Sequence, residues 1–205
     1  MGGKRAAADG REVQALAAAA AEAMGHAAEA LATLLHLPVR PGSPRVRRLR
    51  AASAVRALRE APAVEAALYF WVTGDPEGAL LVFFPPGGAR TLATQLTGRP
   101  EGGGTGIPGS REGSALKEAG NILASAYLWA ASRWAGMALK PSIPQLAPDW
   151  GRAVSEGALL GLLPAAGTVL LAEVPFGDGR LVQGRVVWLP GTRTRGGLLQ
   201  GGHGG

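Results

Sequence analysis

An α+β fold made of two similar halves is what this 205-residue chain predicts, on three observations. Long runs with helical periodicity alternate with short runs rich in Val, Leu and aromatic residues, which read as strands. The order long helix, extended segment, short helix, hairpin occurs twice. Residues 39–46, VRPGSPRV, also superpose on residues 139–146, LKPSIPQL, at a constant offset of 100, which sets Pro41 on Pro141, Pro44 on Pro144, Arg40 on Lys140 and Val46 on Leu146. The chain therefore divides into one domain over residues 11–190, with repeat one at about 11–97, a linker at 98–113, repeat two at about 114–190, and flexible tails at 1–10 and 191–205.

Each element has its reason. Residues 1–10 read as a disordered lead-in, and Arg11 to His36, Ala-rich and punctuated by Leu, as a helix closed before Pro38, since the residue ahead of a proline is steered out of the helical region. VRPGSPRVRRL reads as extended, and Ala52 to Glu60 as a short helix closed by Pro62. Ala63 to Thr73 and Ala79 to Phe84, joined through GDPEG, form the clearest hairpin. Residues 88–97 suit a helix, and RPEGGGTGIPG a linker. Its Gly104, Gly106 and Gly109 have GxGxxG spacing, but no strand leads into them and Pro108 removes an amide that a phosphate would use, so no nucleotide site is read there. The second copy follows: a long helix over Ser114 to Met137, extended KPSIPQL, an apolar helix over Arg152 to Leu163, strands at Thr168 to Val174 and Arg180 to Leu189, then a flexible Gly-rich end.

Composition excludes several kinds of chemistry. With no Cys there are no disulfides, thiolate metal sites or Cys nucleophiles, and His26, His36 and His203 are too scattered for a zinc site. The net charge of +6 sets 21 basic residues, 18 of them Arg, against 15 acidic ones. Arg45, Arg47, Arg48, Arg50, Arg56 and Arg59 cluster, but without interleaved aromatics to stack on bases, so no nucleic-acid partner is expected. Glu22, His26 and Glu29 interrupt the N-terminal Ala run, unlike a secretory signal. Arg133 and a one-sided polar stripe argue against membrane insertion of Ile122 to Leu139, so a soluble cytoplasmic protein is expected.

That stripe lies on the second long helix. At about 100° per residue, Ser114, Glu118, Asn121, Ser125, Leu128 and Ser132 fall within an arc of about 80°, opposite Leu116, Ala119, Leu123, Tyr127, Ala130 and Trp134. A solvated face would also be polar, but it would usually mix Glu with Lys, whereas this one offers a carboxylate and a carboxamide among hydroxyls. Gly120, which costs about 1 kcal/mol relative to Ala in mid-helix, signals the close approach of another surface. A carboxylate can grip a partner's Lys or Arg, and a carboxamide can hold a water by donating and accepting at once.

Ser114, Glu118 and Asn121 reproduce a Ser/Asp-x-x-x-Glu-x-x-Asn signature, and KEAGNILASAYLWAAS, LKPSIPQLAPDWG and VTGDPEGALLVFFP extend the likeness over roughly residues 13–190. On these residues the chain resembles the CheC, CheX and FliY family of chemotaxis phosphatases. The resemblance implies one sheet with the two long helices alongside each other, and hydrolysis of the aspartyl phosphate of the response regulator CheY. It casts Asn121 as the residue that orients the attacking water and Glu118 as the partner of the regulator's active-site Lys, with Ser114 and Ser125 bordering the contact. No cofactor of its own is expected; Mg²⁺ would be held by the regulator. The 100-residue offset sets Gln14, Ala18 and Ala21 under Ser114, Glu118 and Asn121, so although GHAAEAL at 25–31 resembles the end of a first motif, a single active site is expected on the second helix. The alternative is a non-catalytic adaptor for CheY or for the receptor deamidase CheD, with Asp149 and Trp150 as a partner surface, unless Asp149 merely caps a helix. A place in the flagellar switch, as for FliY, is disfavoured by the lack of an appended domain after residue 190.

Overall fold

The computed structural model describes residues 2–60, 64–75, 78–98, 110–155, 163 and 167–201. Helix α1 (Gly2–Leu35) is followed by β1 (Arg40–Pro41), β2 (Arg45–Arg50), α2 (Ala51–Arg59), β3 (Ala66–Thr73), β4 (Ala79–Phe84) and α3 (Gly88–Thr97). The second half runs α4 (Ser110–Ala135), β5 (Lys140–Pro141), β6 (Gln145–Ala147), α5 (Trp150–Ser155), β7 (Thr168–Gly177), β8 (Gln183–Leu189) and α6 (Thr192–Gly201). The strands form one antiparallel sheet in the order β1-β7-β8-β4-β3-β5, with β2 also paired to β7 and β6 to β3. Exchanging the halves leaves that order unchanged. Each half's β-hairpin receives the short strands of the other half: Arg45 of β2 lies opposite Glu173 of β7, and Gln145 of β6 opposite Tyr69 of β3.

Alternation along the strands makes two cores. Leu68, Phe70, Leu80, Val82, Leu170, Val174, Val186 and Trp188 point to the face covered by α1 and α4, with α3 and α6 beside them. Ala67, Leu81, Phe83, Leu171 and Val187 point to the face covered by Leu58 of α2 and Trp150 of α5. Helices α1 and α4 pack against each other, and the offset holds there in detail. Leu16 and Leu116 are both fully buried, and so is Ala131, with Leu31 1% exposed. The helices end alike, with His36 and Gly136 both in the left-handed region, at φ of 53° and 63°. Among the described residues no helix is long and apolar enough to cross a membrane.

Both ends of the chain depart from expectation. Where residues 1–10 read as disordered, α1 begins at Gly2, and Asp9 pairs with Arg48 at 3.3 Å. Where 191–205 read as flexible, α6 occupies residues 192–201, with Leu198 fully buried. Its start is held by Asp75, whose Oδ2 accepts from the Gly191 N–H at 2.8 Å. A Cβ on Gly197 would run into the Ala135 carbonyl, so glycine here permits a helix to approach rather than a loop to move. The linker is shorter than 98–113, since α4 opens at Ser110, and the GxGxxG glycines lie outside the described residues. Helix α5 begins at Trp150, not Arg152; the rest of the helix expected to reach Leu163 is outside the described residues, apart from Leu163 itself.

Candidate functional site

The expected stripe is divided by the way the chain leaves α4. Ser114, Glu118, Asn121 and Ser125 are exposed, in successive turns of one face. Leu128 is fully buried, and Ser132 is engaged at the helix end, its Oγ donating to the Leu128 carbonyl at 2.6 Å and accepting from the Leu139 N–H at 2.9 Å. The chain turns back at Gly136 toward β5 and covers that end of the stripe. Beyond Ser125 the exposed line of the helix shifts sideways to Trp129 and Arg133.

What fixes the helix is the opposite face. Leu116, Ala119, Leu123, Tyr127 and Ala130 are buried as expected, and the Tyr127 ring meets Trp188 edge-on at 5.6 Å. Full burial pushes the Tyr127 hydroxyl pKa far up, so it stays protonated. Gly120 explains itself here: a Cβ would overlap the side chain of Leu68, which is fully buried on β3. The approaching surface is the protein's own sheet, and the glycine seats α4 close against it.

On the outer side, Glu118 and Asn121 stand about 60° apart around the axis and about 4.5 Å apart along it. Neither is held by a hydrogen bond or ion pair to any described residue. A partner can therefore meet together a carboxylate and a carboxamide that no described residue engages. Ser114 lies one turn before Glu118, and Ser125 one turn after Asn121. The corresponding positions on α1, Gln14, Ala18 and Ala21, are exposed too, so the first half offers the same surface without the pair. Among the described residues no three His, Asp or Glu side chains converge as a metal site would require.

Asp149 and Trp150 do not form a joint partner surface. Trp150 is 1% exposed, donates from Nε1 to the Leu58 carbonyl at 2.9 Å and packs on Phe83 with ring centroids 5.0 Å apart. Asp149 is exposed, but its Oδ1 accepts from the Arg152 N–H at 2.9 Å, the bond of an N-cap. The Arg cluster is partly consumed by the fold. Arg48 bonds Glu12, and Arg47 and Arg185 approach Glu173 at 3.6 and 3.3 Å.

Two residues that matter to these surroundings were not singled out from sequence. Glu12, 8% exposed, accepts from Arg48 of β2 at one oxygen and from Arg195 of α6 at the other, the latter at 2.6 Å. Burial alone would raise its pKa, but the hydrogen bonds from Arg195 and Arg48 outweigh that and hold it below the usual carboxylate value. No local spacing links residues so far apart in sequence. Trp129, 56% exposed, falls about 20° beyond the arc drawn from the sequence and could have been found by widening it.

No family model matches the chain. It is 30% identical over 137 residues to the CheY-P phosphatase CheC of Bacillus subtilis, an alignment covering 66% of each protein, just under two thirds of the relative's length. The crystal structure of Thermotoga maritima FliY superposes with a TM-score of 0.69 at 15% identity, over 92% of this chain and 94% of that one. The FliM middle domain from H. pylori superposes at 0.65 and 10% identity, over 93% and 97%. These last two likenesses show the fold. The CheC relationship makes the chain a member of the CheC, CheX and FliY family, and the palindromic sheet under paired long helices is the fold it shares with those structures.

Proposed function

We propose that the protein is a phosphatase for the aspartyl phosphate of a chemotaxis response regulator of the CheY type, with one active site, on α4. The observation that carries this reading is the unengaged Glu118 and Asn121 side by side on a helix whose other face is locked to the sheet. Phosphoryl transfer depends on positioning and charge more than on covalent help from the catalyst. The Asn121 carboxamide accepts one hydrogen bond from a water and donates another, orienting it in line with the leaving carboxylate oxygen. Glu118 pairs with a lysine on the regulator and fixes the helix over the phosphoryl group. A Mg²⁺ supplying charge to the reaction would be held by the regulator's own acidic residues. The relative named a CheY-P phosphatase supports the substrate assignment.

The test is phosphate release from phosphorylated CheY with and without the protein. Acceleration that falls about 10²-fold in Asn121→Ala, with folding and CheY binding retained, is the expected result. Equal rates in variant and parent would overturn it. A second reading, on the fold shared with the FliM middle domain, is a non-catalytic adaptor that binds CheY. Binding of CheY without acceleration would establish it.

A further inference from the structure

Trp129 extends the exposed line of α4 past the site. It lies about 12 Å further along the axis than Asn121 and about 20° around it from Glu118. The indole is held in place. His26 of α1 meets its ring edge-on at 5.4 Å with an interplanar angle of 83°, and the Arg133 guanidinium sits 5.7 Å from the ring centroid. The fold has little use for it: Trp134 packs against the core and donates to Glu22 at 2.8 Å, whereas the Trp129 N–H donates to no described residue. An aromatic ring ordered before any partner arrives loses little freedom on binding, and Trp is among the residues most often found as interface anchors.

The pseudo-symmetric half provides a comparison within the molecule. At the same offset, Glu29 stands under Trp129 and Thr33 under Arg133, both exposed as ordinary polar helix surface. The anchor therefore occurs in the half that carries Glu118 and Asn121, and its counterpart is missing from the half that has Ala18 and Ala21 in their place.

We propose that Trp129, with Arg133 and His26, is a second docking contact for the same phosphorylated receiver, and that this contact determines which receiver is accepted. This rests on the phosphatase reading of Glu118 and Asn121. A protein interface of ordinary size covers about 800 Å² per partner, a patch roughly 30 Å across. Ser114 to Arg133 spans about 28 Å of helix, so a globular partner seated on the catalytic pair also covers Trp129. On that reading the pair meets a phosphoryl group and a lysine, which phosphoaspartate receivers share, and so cannot discriminate among them. Discrimination requires contact with the partner's variable surface. The chemistry that fits is an apolar side chain against the indole beside a carboxylate for Arg133.

The experiment measures phosphate release over a range of phosphorylated CheY concentrations, and titrates beryllofluoride-loaded CheY, for the parent, Trp129→Ala, Trp129→Phe, Arg133→Ala and Asn121→Ala. Trp129→Ala should raise KM and Kd about 10-fold or more with kcat within twofold, Trp129→Phe and Arg133→Ala should do so less, and Asn121→Ala should lower kcat instead. Across a panel of phosphorylated receivers, Trp129→Ala should narrow the spread of kcat/KM. KM and Kd within twofold of the parent in both Trp129 variants would overturn the docking role, and so would a fall in kcat alone. An undiminished spread across the panel would overturn the selectivity role. If the parent binds CheY but releases no phosphate, the phosphatase reading fails, and the Kd of the Trp129 variants still decides the contact. Absence of parent binding overturns both.

Discussion

Replacing Glu12 with Gln tests how the two ends of the chain are held. The carboxylate joins α1 to β2 through Arg48 and to α6 through Arg195, whose Nη1 also donates to the Thr168 carbonyl at 3.2 Å. Breaking one partner of a buried ion pair costs about 3–5 kcal/mol. Here the Arg48 and Arg195 side chains retain 26% and 21% exposure, so water can solvate them once the carboxylate is gone. The expected loss is therefore about 2–3 kcal/mol, or roughly 4–12 °C in Tm for a chain of this size. Urea unfolding of parent and variant at neutral pH measures it, with the slope unchanged. The pH dependence supplies a second check. The folded-state pKa of Glu12 lies below its ordinary 4.5, so its contribution is fully present above about pH 4.5 and is lost as pH falls through the lowered value. The stability gap between parent and variant should be constant near neutrality and close below that window. A neutral-pH loss under about 0.5 kcal/mol, or a gap that widens in acid, would refute the reasoning.

Other outcomes are expected. Glu118→Ala should weaken association with phosphoryl-mimic CheY by about 2 kcal/mol or more, read by titration. Gly120→Ala should lower stability by about 1–3 kcal/mol in a thermal melt, because the new methyl overlaps the buried Leu68 side chain. Ala18→Glu with Ala21→Asn should change stability by no more than about 0.5 kcal/mol, since both positions are exposed, and calorimetry on the parent should find one regulator bound per chain. Ending the chain at residue 190 should lower Tm and increase binding of a hydrophobic dye, because α6 no longer covers the core around Leu198 and Arg195 no longer reaches Glu12.

What could be read from the sequence follows from how local each signal is. Helix α4 and the hairpin of β3 and β4 carry their own periodicity, and the 100-residue offset carried the match between halves. The buried side of α4 matched at Leu116, Ala119, Leu123, Tyr127 and Ala130, while Trp134, expected with them, is only partly buried. The exposed side matched only as far as Ser125, because burial of Leu128 and Ser132 depends on where the chain goes after Gly136. Trp150 was misplaced for a related reason: its burial is set by Phe83 and Leu58, which adjoin it only across the sheet. Helix α6 was missed because Gly196 and Gly197 read as loop residues, although α3 in the first half marks where a matching helix belongs. Glycine reports a close approach or a mobile backbone with the same letter, and here Ala135 decides between them.

The crossed strands have a consequence for how the molecule can form and diverge. Arg40 must find Gly177, and Val72 must find Pro141, before either hairpin has its outer neighbours. Such distant pairings place the loop-closure cost ahead of the contacts that offset it, which makes folding slow and concerted. A half on its own would leave the edge of its hairpin bare and could satisfy it by trading strands with a second copy of itself. The first half is therefore retained whatever its helix surface carries. β5 and β6, which follow directly from the end of α4, have β3 as their neighbour, so the half with Ala18 and Ala21 on its helix is the foundation of the half that carries Glu118 and Asn121.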